Sequence, residues 1–178
     1  MLIYRNSFPQ ITQHVFHEHA DEVWFLSFSH DGEFLASASK DSTAIVWSVK
    51  DWKPFHVLAG HKEAISFLAW SPDDLTLLTA SNDHSLKSWN IQTGINQCTF
   101  SKHTEAVTSC AWLPDGQMFV SGSLEKVIYL WSISGDILYK WSGMRVMDLA
   151  ITNDGHSLIV TSEKKIRLYD LETKEETG

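Results

Sequence analysis

A period of 42 residues runs through the chain in several tracks at once. His19, His61 and His103 stand 42 residues apart, and so do Trp47, Trp89 and Trp131. The same step separates Ser39, Ser81 and Ser123, and again Asp41, Asp83 and Glu125. The turn pairs Asp31-Gly32, Asp73-Asp74 and Asp115-Gly116 keep that register. Coincidence does not align five tracks, so each copy is one structural unit stacked on its neighbours. In a fourth copy Asp154-Gly155 answers the turn, Thr161 the serine, Glu163 the aspartate and Tyr169 the tryptophan. Its entry is shortened, and Ser142-Gly143 stands where the histidine is expected.

Within each copy the apolar residues fall in short runs bounded by Asp, Gly and Ser, the pattern of strands and tight turns. In the first copy, residues 23–28 precede a turn at 29–32, and residues 33–39 and 42–47 flank a turn at Lys40-Asp41. Outer strands follow at 55–58, 96–100 and 136–141, and no long stretch has helical periodicity. Four antiparallel strands in about 42 residues make one blade of a β-propeller. The fold expected is therefore all-β, with four blades of four antiparallel strands forming an incomplete ring. The blades cover approximately 17–58, 59–100, 101–141 and 142–171, with 172–178 as a frayed polar tail. The innermost strands are predicted at 23–28, 65–70, 107–112 and 146–151. Residues 11–16 read as an outer strand that would close a complete ring and here caps the first blade. An open ring leaves strand edges and apolar blade flanks uncovered, which predicts self-association, aggregation or marginal stability of the isolated chain.

Composition narrows the partners. With 14 basic against 22 acidic residues the net charge is −8, and no basic run exceeds Lys164-Lys165. A nucleic-acid backbone would meet mainly repulsion, so none is expected as a partner. Cys98 and Cys110 are too few for a disulfide framework and read as reduced thiols. The start, Met1 to Ser7, lacks the apolar centre of a signal peptide, and no apolar stretch approaches a membrane span. A soluble chain in a reducing compartment, without a membrane partner, is the expectation.

Ser, His and Asp recurring together raise the question of a hydrolase. Catalysis needs one nucleophile, one base and one orienting acid in an exposed cleft, whereas here the set recurs with a tryptophan in fixed register. No Gly-x-Ser-x-Gly elbow occurs, since Ser121-Gly122-Ser123-Leu124-Glu125 lacks the second glycine. A structural tetrad accounts for the repetition: Trp N–H donates to the Ser hydroxyl, Ser to His, and His to Asp. The sets are His19, Ser39, Asp41, Trp47; His61, Ser81, Asp83, Trp89; and His103, Ser123, Glu125, Trp131, where the longer Glu125 is expected to weaken its link. His14, His17 and His19 are spaced as a possible metal cluster. However, His14 faces away from the other two on a strand and no cysteine is near. No catalytic residue, metal or cofactor is expected.

These tetrads and their period resemble the WD-repeat family over nearly the whole chain. Within it, residues 17–25 (His17-Glu18-His19-Ala20-Asp21-Glu22-Val23-Trp24-Phe25), Ala69-Trp70-Ser71-Pro72-Asp73-Asp74 and Trp141-Ser142-Gly143-Met144-Arg145-Val146 are similar to the WD-repeat subunits of GID/CTLH ubiquitin ligases. That resemblance implies a cytoplasmic or nuclear scaffold that binds ligase subunits or presents substrates. Members carry helical segments ahead of the propeller and more blades, so it also implies that this chain is a piece of a longer protein. The alternative is a WD adaptor in an unrelated signalling or trafficking assembly. Adaptors of cullin-4 ligases carry Arg two residues after a Trp-Asp pair, and Trp47-Ser48-Val49-Lys50 and its counterparts lack it. Rim positions just before each innermost strand and each tetrad acid vary while the tetrads do not. Glu22, Lys40, Asn82, Leu124 and Arg145 are accordingly the candidate partner-binding residues, with Ala64, Ala106 and Ser162 as bland members of the same set.

Overall fold

The structure, a computed structural model, describes residues 14–177. The 11–13 portion of the expected capping strand lies outside the described residues, and residues 14–16 are not in a strand. No helix occurs among the described residues, which form fifteen strands in four antiparallel sheets. The first sheet holds β1 (Val23–Phe28), β2 (Phe34–Ser39), β3 (Thr43–Ser48) and β4 (Lys53–Ala59). The second holds β5 (Ile65–Trp70), β6 (Thr76–Ser81), β7 (Leu86–Asn90) and β8 (Asn96–Phe100). The third holds β9 (Val107–Trp112), β10 (Met118–Ser123), β11 (Val127–Ser132) and β12 (Ile137–Ser142), and the fourth β13 (Asp148–Ile151), β14 (Ser157–Ser162) and β15 (Lys165–Asp170). Each sheet is a meander in chain order, and the innermost strands lie side by side: β1 against β5, β5 against β9, and β9 against β13.

The fourth sheet corrects two expectations. It has three strands rather than four, and its inner strand starts at Asp148 rather than Val146. Residues 172–177, expected to fray, instead fold back on β15. The Asp170 carboxylate accepts the amides of Glu172 and Thr173, Lys174 takes a left-handed φ of 67°, and Glu176 bridges to Tyr169. The Trp141 indole donates to the Lys174 carbonyl at 3.0 Å, and Arg167 holds Glu176 at 2.6 Å. Polar composition concealed this turn, because an Asx turn is specified by one side chain and not by hydropathy.

The core lies between the blades. One cluster joins Ala36, Ala38, Ala44, Val46 and Leu58 of the first blade to Ile65, Leu68, Leu77 and Trp89 of the second. A second joins Leu78, Ala80, Leu86 and Phe100 to Val107, Cys110, Phe119 and Trp131. The third joins Val120, Ile128, Leu130 and Trp141 to Val146, Leu149, Leu158 and Tyr169. Each joint is therefore an exit face packed on the entry face of the next blade, and successive strand residues serve opposite joints because strand side chains alternate. Polar stitches recur at the same joints: Trp70 Nε1 donates to Ser27 O at 3.0 Å and Trp112 Nε1 to Ala69 O at 3.1 Å.

Two positions show how the copies diverge. Gly122 occupies the exit-face place of Ala38 and Ala80, and a Cβ there would stand 2.3 Å from Val146 Cγ1. Val146 thus fills the space that a side chain would take at this place, and Gly122→Ala should cost about 1–3 kcal/mol by overpacking. A urea melt checks this, and an unchanged midpoint would show that blade four moves freely aside. Asp74 stands where the first and third blades have glycine, with φ 57°. Its carboxylate accepts the amides of His30 and Asp31, both at 2.9 Å, and lies 2.6 Å from His30 Nδ1. The strained turn residue thereby ties blade two to blade one.

Candidate interaction face and the networks beneath it

Each entry loop arrives beside the turn that joins the second and third strands of its blade. In blade two His61 Nδ1 is 2.8 Å from Asp83 Oδ2, and Nε2 is 2.7 Å from Thr79 Oγ1. Trp89 Nε1 donates to the same hydroxyl at 3.0 Å. Blade one repeats this with His19, Asp41, Ser37 and Trp47, at 2.9, 2.7 and 2.9 Å. Blade three uses His103, Glu125, Ser121 and Trp131, at 2.5, 2.7 and 2.8 Å. The hydroxyl of each tetrad is therefore Ser37, Thr79 or Ser121, two residues before the expected Ser39, Ser81 and Ser123.

Register explains the correction. Leu35 pairs with Trp47 and Ser37 with Ile45, so Ser37 is the diagonal neighbour of Trp47 on one face. Ser39 shares that face but lies two residues further along, at about 3.4 Å per residue, beyond reach of the indole. Ser39, Ser81 and Ser123 have another task. Their hydroxyls donate to the carbonyls of Asp21, Glu63 and Glu105 and accept the amides of Asp41, Asp83 and Glu125. They fasten the entry loop to the turn directly. The track at 39, 81 and 123 is serine in all three copies, whereas that at 37, 79 and 121 reads Ser, Thr, Ser. Both tracks keep a fixed step to the tryptophan, and only the register of the second strand on the third separates them.

The longer Glu125 does not lose its histidine. Thr43 and Ser85 donate to Asp41 and Asp83 at 2.6 Å, whereas Val127 at the same place offers no hydroxyl. Glu125 takes the Thr104 hydroxyl instead. In blade four the strand pairing places Val160 at the tetrad hydroxyl and Ser162 at the fastening serine, rather than Thr161. Without a histidine a buried hydroxyl there would lack its acceptor, and Val160 is fully buried.

Burial pushes the imidazoles of His61 and His103 below their usual pKa, although Asp83 and Glu125 pull the other way. Burial also raises the Asp83 carboxyl, but the Ser85 hydroxyl, the Lys62 amide and His61 outweigh it and hold it at about 2. Asp41 is lowered further by the same kinds of donor. In blades two and three the network is thus a neutral imidazole donating to a carboxylate. His19 likewise has both ring nitrogens engaged, which separates it from His14 and His17. Cys98 and Cys110 are unpaired, and burial with the nearby Asp148 raises the Cys110 thiol.

Above the networks, the rim positions pair across the two loops. Lys40 N donates to Glu22 O at 2.9 Å, Asn82 N to Ala64 O at 2.9 Å, and Leu124 N to Ala106 O at 3.1 Å. Glu22 accepts from the Trp24 indole at 3.0 Å, and Lys40 lies 3.6 Å from Asp21 and 3.9 Å from Glu22. Asn82 and Leu124 are half-buried, while Arg145 is exposed and makes no ion pair with another described residue. Arg145 is not joined to Ser162 as the repeat would predict: Ser162 is buried at the end of β14, because the fourth blade has one residue fewer in this turn.

Comparison with known proteins agrees with this geometry. The family model described as WD domain, G-beta repeat matches residues 10–48, 52–90 and 94–132. GID complex subunit 7 of Schizosaccharomyces pombe is 43% identical over 175 residues, covering 94% of this chain and 34% of that protein. The WD repeat-containing protein 26 homolog of Arabidopsis thaliana is 51% identical over 45 residues, 25% of this chain and 8% of its own length. The Drosophila melanogaster homolog is 61% identical over 33 residues, 18% of this chain and 5% of its own. The chain thus spans about a third of the length of its yeast relative and less of the others.

Proposed function

The chain belongs to the WD-repeat family, and on that premise we propose that it is a non-catalytic scaffold in a GID-type ubiquitin ligase, holding other subunits or substrates. The observation that carries this reading is the 43% identity to GID complex subunit 7 along nearly the whole chain. The geometry supports a binding role over a chemical one. The three hydroxyl–His–carboxylate sets are spent on each other and on a tryptophan, and a satisfied buried network favours rigidity over reactivity. That rigidity holds the rim loops in place, as a recognition surface on a repeated scaffold requires.

The rim is the proposed contact surface. Arg145 stands out, since its guanidinium is exposed and uncommitted where Glu22 and Lys40 already satisfy each other. Arginine is enriched among residues that dominate interfaces. In the full-length protein, Arg145→Ala should weaken partner binding about tenfold, or 1–2 kcal/mol, and leave the fold intact. Affinity purification from cells with identification of the co-purifying subunits, beside a binding titration and a melting curve, tests both statements. Recovery of an unrelated signalling or trafficking assembly without GID subunits would replace the ligase reading. Unchanged affinity for every partner would remove Arg145 from the surface.

A further inference from the structure

The loops on the histidine face do not share their charge evenly. They are the entry loops, described residues 14–22 and then 60–64, 101–106 and 143–147, and the turns at 40–42, 82–85, 124–126 and 163–164. Blade one carries Glu18, Asp21, Glu22 and Asp41 against Lys40, a net charge of −3. Lys62 against Glu63 and Asp83 leaves −1 in blade two, and Lys102 and Lys126 offset Glu105 and Glu125 in blade three. Blade four alone is positive, with Arg145 and Lys164 against Glu163. The tetrad imidazoles do not alter this order, because burial keeps His61 and His103 neutral while Asp83 stays ionised.

Lys165 adds to the positive sector. Thr161 pairs with Ile166 as Ala38 pairs with Ala44, so Lys165 takes the place of Thr43, whose hydroxyl donates to Asp41. Blade four has no histidine in its entry loop, and Lys165 is exposed. Arg145 lies in the entry loop of the same blade, which is tied to blade three. The Gly143 amide donates to Lys126 O at 3.0 Å and the Val146 amide to Ser123 O at 3.4 Å. Arg145, Lys164 and Lys165 are all exposed, and none forms an ion pair with another described residue. Their exposure does not come from an uncovered flank. Lys126 is equally exposed in the corresponding turn of blade three, although blade four follows it.

On the reading of the rim as the contact surface, we propose that this sector binds an acidic peptide segment of a partner, its carboxylates meeting Arg145, Lys164 and Lys165. The complementarity is local. Charges are screened over about 8 Å at physiological salt, so the segment responds to the cations beneath it and not to the net charge of −8. Arg145 can also receive a carboxylate bidentately, which fixes orientation as well as attraction. The carboxylates of blades one and two keep such a segment off the rest of the face, the usual electrostatic route to register and specificity. A longer polyanion such as nucleic acid would have to cross those acidic loops and is disfavoured.

Fluorescence anisotropy of a dye-labelled pentaglutamate peptide with the purified chain, at about 0.15 M salt, tests this. The wild type should bind the peptide saturably. Arg145→Glu combined with Lys164→Glu should weaken binding by about tenfold or more. Lys50→Glu combined with Lys53→Glu changes the net charge equally, but these residues lie at the turn between β3 and β4, at the opposite end of the strands. That pair should leave the affinity within about twofold. All four substituted side chains are exposed, so circular dichroism should show unchanged strand content in both variants. The assay needs no other subunit, so its failure leaves co-purification with GID subunits standing, and the reverse also holds. Absence of peptide binding by the wild type would overturn the proposal. So would equal losses in the two double variants, or a five-nucleotide single-stranded DNA that binds as tightly as the peptide.

Discussion

Trp89→Ala should lower the stability of the chain by about 3–5 kcal/mol, the largest single-residue effect expected away from the backbone. Trp89 is 3% exposed, packs in the joint between blades one and two, and donates to Thr79 Oγ1. Its truncation removes apolar contact on a joint that nothing else can refill, because Gly60 and Leu77 sit against it on a paired sheet. Trp89→Phe keeps most of the packing and loses the hydrogen bond, at a cost nearer 1 kcal/mol. Urea unfolding of both variants separates the two contributions. A Trp89→Ala midpoint within error of the wild type would mean that the first joint does not contribute to cooperative unfolding.

His61→Ala should cost about 3 kcal/mol by leaving the buried Thr79 hydroxyl and the Asp83 carboxylate short of partners. The same network makes stability depend on pH in a definite direction. His61 and His103 titrate below the usual 6.5 in the folded chain, so the unfolded chain binds more protons as the pH falls below 6.5. Their contribution is complete above that value and is lost on acidification through it. Asp83, held at about 2 against a usual 3.8, contributes stability above 3.8 that is lost as the pH falls through its folded value. Both shifts destabilise in acid, and the histidines act first. Melting temperature should therefore fall between pH 7 and pH 5 in the wild type and fall less in His61→Ala. A flat profile over that interval would contradict the neutral-imidazole assignment. A hydrolytic activity that vanished in His61→Ala with stability unchanged would overturn the structural reading of the tetrad.

The tetrads were legible as a set because period and residue type repeat together, yet their hydroxyls were misplaced by two residues. Positions 37 and 39 point to the same face of β2, and sequence alone does not say which one lies diagonal to Trp47 until the pairing of β2 with β3 is known. In the same way, Thr161 and Ser162 exchange roles according to whether one residue is lost before β13 or in the turn between β14 and β15. The ladder places one loss in that turn.

What the amino-acid order determined was the local grammar. Short apolar runs broken by Asp and Gly dictate strands and tight turns, and repetition every 42 residues dictates identical blades in chain order, because both follow from contacts near in sequence. Only the tertiary structure decided which hydroxyl meets which histidine, that residues 172–177 turn back under Trp141, and that the apolar cores lie between blades. Those outcomes depend on register and on the approach of neighbouring sheets, where a one-residue slip sends a side chain to the opposite face.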